Sequence, residues 1–265
     1  MADGQGRPDG ACTAPRCWMR HLDLALGVVT VGCVAAMMYG MFVEHLWSTR
    51  LLAMSASTAF VATGLAAGAL RSWYGRSMLA GLVLCWLGDY LGPGNFMLGA
   101  AAFLIGHVMF IAAFMQRDLV PSRAKAAAIV FLPAGCALAW WLHAHVHGVE
   151  AVFVYTYMTV ITAMVLCASA ASRGNAWIVA GAAIFYISDI FVARWRFVTP
   201  DRLNALFCYP LYYTSCALLA LSIRVKPSGR DRRDTENRVG GGEASPPSSH
   251  TTVRTVPYTA VRKLP

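Results

Sequence analysis

The stretch AGAAIFYISDIFVARWRF, Ala180–Phe197, decides how the chain is read. Its first half is apolar on every side of a helix, the pattern of a membrane-spanning segment and not of an amphipathic helix in water. Within it stands Asp189, next to Ser188, with no cationic side chain in the preceding helical turn. A charged group at mid-bilayer costs about 2.5–3.5 kcal/mol on insertion scales, so it is tolerated chiefly where it faces a bundle interior or water. The stretch therefore predicts a helical membrane bundle that keeps an acid inside it.

The remaining sequence fits that frame. Of 265 residues, 57% are hydrophobic and 13% charged, about half the charged fraction usual for a soluble domain. Eight apolar segments are expected to span: Leu22–Val43, Leu51–Leu70, Ser77–Leu91, Phe96–Met115, Ala124–Leu142, Val149–Ala171, Ala176–Val192 and Leu206–Ile223. The expected fold class is thus all-α, a polytopic membrane protein with eight transmembrane helices. The membrane domain covers 21–224, between a polar tail at 1–20 and a basic tail at 225–265. The second tail is rich in Gly, Ser, Pro and Arg without apolar periodicity, and is expected to be disordered. The first apolar run follows about twenty polar residues and is long enough to be a retained helix instead of a cleaved leader.

Charge sets the expected topology. With the N-terminus inside, inner segments hold most of the cations, whereas outer loops hold only Arg50, Arg194, Arg196 and Arg202. The positive-inside rule then places both termini in the cytosol. The loop after the seventh helix is the local exception, with three arginines against Asp201. Short loops with few insertions suit a bacterial inner membrane. The net charge of +9 sits largely in tails and loops, and the basic tail has no interleaved aromatics, so nucleic acid is not an expected partner. The eight cysteines are scattered, without a CxxC pair, and read as packing residues instead of a disulfide or zinc framework.

An internal echo runs through the chain. AGLVLCWLGDYL (Ala80–Leu91) and AGAAIFYISDIF (Ala180–Phe191) each place Ala-Gly eight residues ahead of a small residue plus Asp. The third and seventh helices run the same way, which predicts two parallel four-helix halves.

Three ionisable groups fall deep in the membrane. At 1.5 Å per residue, Asp89 and Asp189 lie about 18 Å from the inner boundary and His107 about 14 Å, within one helical turn of a common level. Gly81, Cys85 and Asp89 share a helix face, as do Gly181, Phe185 and Asp189. On the fourth helix Phe96, Gly99, Phe103, Gly106, His107 and Phe110 form a stripe. Small residues at such spacing allow close backbone approach, and Phe beside Gly can leave a cleft for an acyl chain. Two carboxylates brought close cannot both be ionised cheaply, which divides them into an acid and a base suited to hydrolysis. The same residues could simply tie helices together, or couple a solute or lipid carrier to protons.

Other motifs carry less. HAHVHGVE holds His143, His145, His147 and Glu150 but no HExxH pattern. LGPGN (Leu91–Asn95) is a turn, and Ser188 lacks a GxSxG context for a nucleophile.

Four stretches together resemble the lysoplasmalogenase (YhhN-like) membrane family: GDYL (Gly88–Leu91), FLIGHVMF (Phe103–Phe110), GAAIFYISD (Gly181–Asp189) and YYTSCALLALS (Tyr212–Ser222). The likeness runs from about Arg50 to Ser222, with Cys216 where the family pattern has Gln and Arg50-Leu51 where it often has Lys-Pro. The resemblance implies hydrolysis of the vinyl ether bond of lysoplasmalogens, giving a fatty aldehyde and glycerophosphocholine or glycerophosphoethanolamine. It implies Asp89 and Asp189 as the acid–base pair and His107 as the group that orients an acid or the substrate. Ser188 and Phe103 would support the site, and Tyr212 and Tyr213 would line its head-group end. The implied partners are a lysophospholipid and the bilayer; no cofactor and no metal are expected.

Overall fold

Backbone amides in hydrocarbon must be satisfied within the segment that carries them. In the computed structural model the described residues, 14–42, 49–172 and 175–224, accordingly form eight α-helices and no strand. They are α1 (Ala14–Phe42), α2 (Thr49–Ala66), α3 (Trp73–Leu91), α4 (Phe96–Phe114), α5 (Pro121–His143), α6 (Gly148–Ala171), α7 (Ala176–Ala193) and α8 (Arg202–Ser222). A 3-10 turn at Ala69–Arg71 precedes α3, and a π-helical turn at Arg194–Val198 extends α7. The tail expected at 225–265 and most of that at 1–20 lie outside the described residues.

Capping explains where the helices begin. Ser72 accepts from the amide of Gly75 at 3.0 Å, Asn95 from Leu98 at 3.2 Å and Asp201 from Asn204 at 3.1 Å. The Ser72 cap starts α3 at Trp73 instead of Ser77, and the Asp201 cap starts α8 at Arg202 instead of Leu206. Five described helices are long and apolar enough to cross a membrane: α4, α5, α6, α7 with its π turn, and α8. Of the other three, α1 is apolar over its described stretch, and α2 and α3 carry more polar side chains. Among the described residues the apolar stretch of α1 is Ala25–Gly40; α2 carries Ser55, Ser57, Thr58 and Thr63, and α3 carries Arg76 and Asp89.

An apolar core encloses several polar side chains, and apolar side chains also face outward. His107, Ser57, Ser188, Asn204 and Ser215 are fully buried. Trp140 and Ile129 on α5 are 82% and 77% exposed, too much outward apolar surface for a helix facing water. Helices α2, α3, α4, α6, α7 and α8 pack in a closed ring, with α1 against α2 and α8, and α5 against α6. The α3–α4 hairpin is drawn together by glycine: a Cβ on Gly99 would lie 2.6 Å from the Cα of Gly92, and one on Gly88 2.6 Å from the Phe103 ring. In the α7–α8 hairpin, a Cβ on Gly181 would lie 2.9 Å from Leu219. These close approaches bring the acids of α3 and α7 toward the aromatic faces of α4 and α8.

Candidate active site

Each acid is anchored by hydroxyls from neighbouring helices. Oδ2 of Asp89 on α3 accepts from the Ser57 hydroxyl of α2, and from the Tyr212 hydroxyl of α8 at 2.8 Å. Oδ2 of Asp189 on α7 accepts from the Tyr157 hydroxyl of α6 at 2.9 Å. Ser57 precedes Asp89 by 32 residues, and Tyr157 precedes Asp189 by the same 32. A hydrogen bond to a charged group contributes about 1.5–3 kcal/mol, so one or two such donors offset an insertion cost of about 2.5–3.5 kcal/mol.

His107 on α4 stands against Asp189, its Nε2 3.7 Å from Oδ2. That is beyond hydrogen-bond range, and among the described residues neither ring nitrogen has a hydrogen-bond partner. The imidazole is held instead by rings, edge-on to Phe185 at 4.7 Å and to Tyr157 at 5.3 Å. Phe185 in turn packs edge-on against Tyr212 at 5.4 Å, and Phe103 does so at 5.6 Å. A continuous aromatic ladder thus joins the Asp89 anchor to the Asp189 anchor.

Both acids face one cavity of about 610 Å³. Phe103, Tyr157, Ser188 and Tyr212 also line it, and its wall continues to Pro93, Phe96, Arg196 and Pro200 at the end of the bundle where the α3–α4 and α7–α8 connections lie. The volume is that of a small-molecule or lipid site. The acids supply polarity at its base, the aromatic and aliphatic residues an apolar wall, and Arg196 the cation among its lining residues.

Tyr212 and Tyr213 both line the cavity, Tyr212 at mid-helix with its hydroxyl on Asp89. Tyr213 turns to α2, its hydroxyl donating to the Ala53 carbonyl at 3.3 Å. His107 does not line the cavity and stands beside Asp189. Ser188 donates to the Cys208 carbonyl at 3.0 Å and ties α7 to α8. His143 lies 3.2 Å from the Tyr155 hydroxyl and His145 3.2 Å from the Trp141 carbonyl. Sequence reading missed Ser57 and Tyr157, although the 32-residue spacing was a usable signal once the two acids had been paired.

Fold and cavity define an all-helical integral membrane protein with two half-buried acids on one largely apolar pocket. The chain belongs to the YhhN family, whose sequence profile matches residues 46–223. Two relatives named lysoplasmalogenase, from Mycobacterium bovis and Mycobacterium tuberculosis, are each 30% identical to it over 172 residues. The match covers 60% of this chain and 64% of each relative, so the chain spans less than two thirds of their length. No solved structure matches the chain.

Proposed function

We propose that the protein hydrolyses the vinyl ether bond of lysoplasmalogens, with Asp89 and Asp189 as its acid–base pair. The observation that carries this reading is that two half-buried carboxylates line one apolar cavity, one oxygen of Asp89 held by two hydroxyls and one of Asp189 by a single hydroxyl. The names of the mycobacterial relatives support the substrate class.

Hydrolysis of a vinyl ether begins with a proton delivered to the β-carbon, which leaves an oxocarbenium ion at the α-carbon. Asp89, with two hydroxyl donors, is suited to the anionic role, and Asp189, with one, to that of proton carrier. Asp189 protonates the β-carbon; anionic Asp89 stabilises the cation and takes a proton from the water that attacks it. The resulting hemiacetal collapses when Asp89 returns that proton to the ether oxygen and Asp189 takes the hemiacetal hydroxyl proton. One water is consumed, aldehyde and glycerophospho-alcohol leave, and both acids regain their starting states. The His107 ring, in contact with Phe185 and Tyr157, fixes the position of Asp189.

All eight helices are proposed to span, with both termini cytosolic, in a bacterial inner membrane. The two parallel halves are proposed as well. The packing of α1 on α2, α2 on α3, α3 on α4 and α4 on α6 recurs as α5 on α6, α6 on α7, α7 on α8 and α8 on α2. The same recurrence favours, as a second reading, a carrier coupled to protons through the acids.

Purified protein in detergent is expected to release aldehyde from a lysoplasmalogen and none from the matching saturated 1-alkyl lysophospholipid, measured by mass spectrometry. Lipid or solute uptake into proteoliposomes, with no chemical change, would decide for the carrier instead.

A further inference from the structure

The arginines after α7 are an anomaly of charge that the acid–base chemistry does not absorb. Arg194 is engaged locally, where its guanidinium donates to Asn204 at 2.5 Å and Asp201 at 3.2 Å and staples the turn to the start of α8. Arg196 has no such staple. It lines the cavity, stacked over the Phe96 ring at 4.9 Å and the Phe197 ring at 5.8 Å. Its acidic partner is Glu150, 3.7 Å away, with the two side chains 46% and 48% exposed. An exposed pair of this kind is worth about 0–1 kcal/mol, too little to hold the guanidinium against a better anion.

We propose that Arg196 is the phosphate anchor of the site and selects lysophospholipids over chains that lack a phosphodiester. The inference rests on the hydrolase reading for the orientation of the lipid, chain inward and head group at the bundle end. Scale supports it. Arg196 follows Asp189 by seven residues, about 10 Å along the helix axis. In an extended 1-alkenyl glycerophospholipid the phosphorus lies roughly 9 Å from the vinyl β-carbon, seven bonds away at ordinary bond lengths. A phosphate on Arg196 therefore sets the β-carbon at the level of the acids. The planar guanidinium suits two phosphate oxygens at once. The rings of Phe96 and Phe197 hold its plane at the mouth, leaving its edge for the ligand. Glu150, released from the pair, stands beside the place where the head group's ammonium would lie.

The test uses ligands without a vinyl ether, so it does not depend on turnover. Binding of 1-alkyl glycerophosphocholine and of the 1-alkyl glycerol with the same chain is measured calorimetrically on the full-length protein in detergent. Wild type is expected to favour the phospholipid, and Arg196→Gln to reduce the ratio of the two affinities tenfold or more, with Arg196→Lys in between. Retained alkyl glycerol binding by Arg196→Gln reports an intact fold. An unchanged ratio, or loss of both ligands together, would overturn the assignment by making Arg196 irrelevant or merely structural. Failure of the hydrolase reading would appear separately, as absent aldehyde from a wild-type protein that still discriminates the two ligands through Arg196.

Discussion

Asp89→Asn and Asp189→Asn are each expected to lower kcat for aldehyde release by about 10²–10⁴-fold, the range that general acid–base catalysis supplies. The substitution keeps the shape of each side chain and removes the proton exchange. Each amide can still accept from the hydroxyls on Oδ2 of the acid it replaces, Ser57 and Tyr212 at Asp89 and Tyr157 at Asp189, so folding should survive. The double variant should be little worse than the singles, because groups that act as one unit are not additive. The check is kcat at saturating lipid, with binding of the 1-alkyl analogue as the control for fold. Wild-type turnover in either single variant would remove that acid from the mechanism.

The next largest effect is expected at the hydroxyl anchors. Tyr212→Phe deletes one of the two donors on Asp89. The loss of a hydrogen bond to a charged group, about 1.5–3 kcal/mol, corresponds to a fall of roughly 10–100-fold in kcat. The ring contacts with Phe103 and Phe185 remain, so the cavity wall is kept. Tyr213→Phe, which removes a hydroxyl bonded to a backbone carbonyl and no acid, should fall less. Equal losses from the two tyrosines, measured side by side, would show that packing and not the Asp89 contact sets the rate.

The sequence made the bundle legible because hydrocarbon leaves the backbone few choices. Long apolar runs had to be helices, and the turn at Leu91–Asn95 and the cap at Asn95 could be read directly. The acids stood out for the same reason: a carboxylate among Ile, Phe and Tyr needs a compensating partner. Those partners were harder to see. Ser57 and Tyr157 are ordinary residues in their own helices, and what makes them matter is a contact across 32 residues that depends on how α2 meets α3 and α6 meets α7. Tyr212 was found without its bond to Asp89, which depends on how α8 meets α3. The arginines after α7 were visible as charge alone; only the cavity separates Arg194, spent on Asp201, from Arg196 in its lining.

In the proposed reaction a carboxyl of the pair gives its proton to carbon while water adds to the neighbouring carbon. Hydrolysis in deuterium oxide containing oxygen-18, with the aldehyde trapped at once by reduction, tests it most directly. One deuterium is expected on the carbon next to the former carbonyl, and no oxygen-18 in the glycerophospho product. Oxygen-18 in that product, or an aldehyde without the deuterium, would mean that the bond is broken by another route.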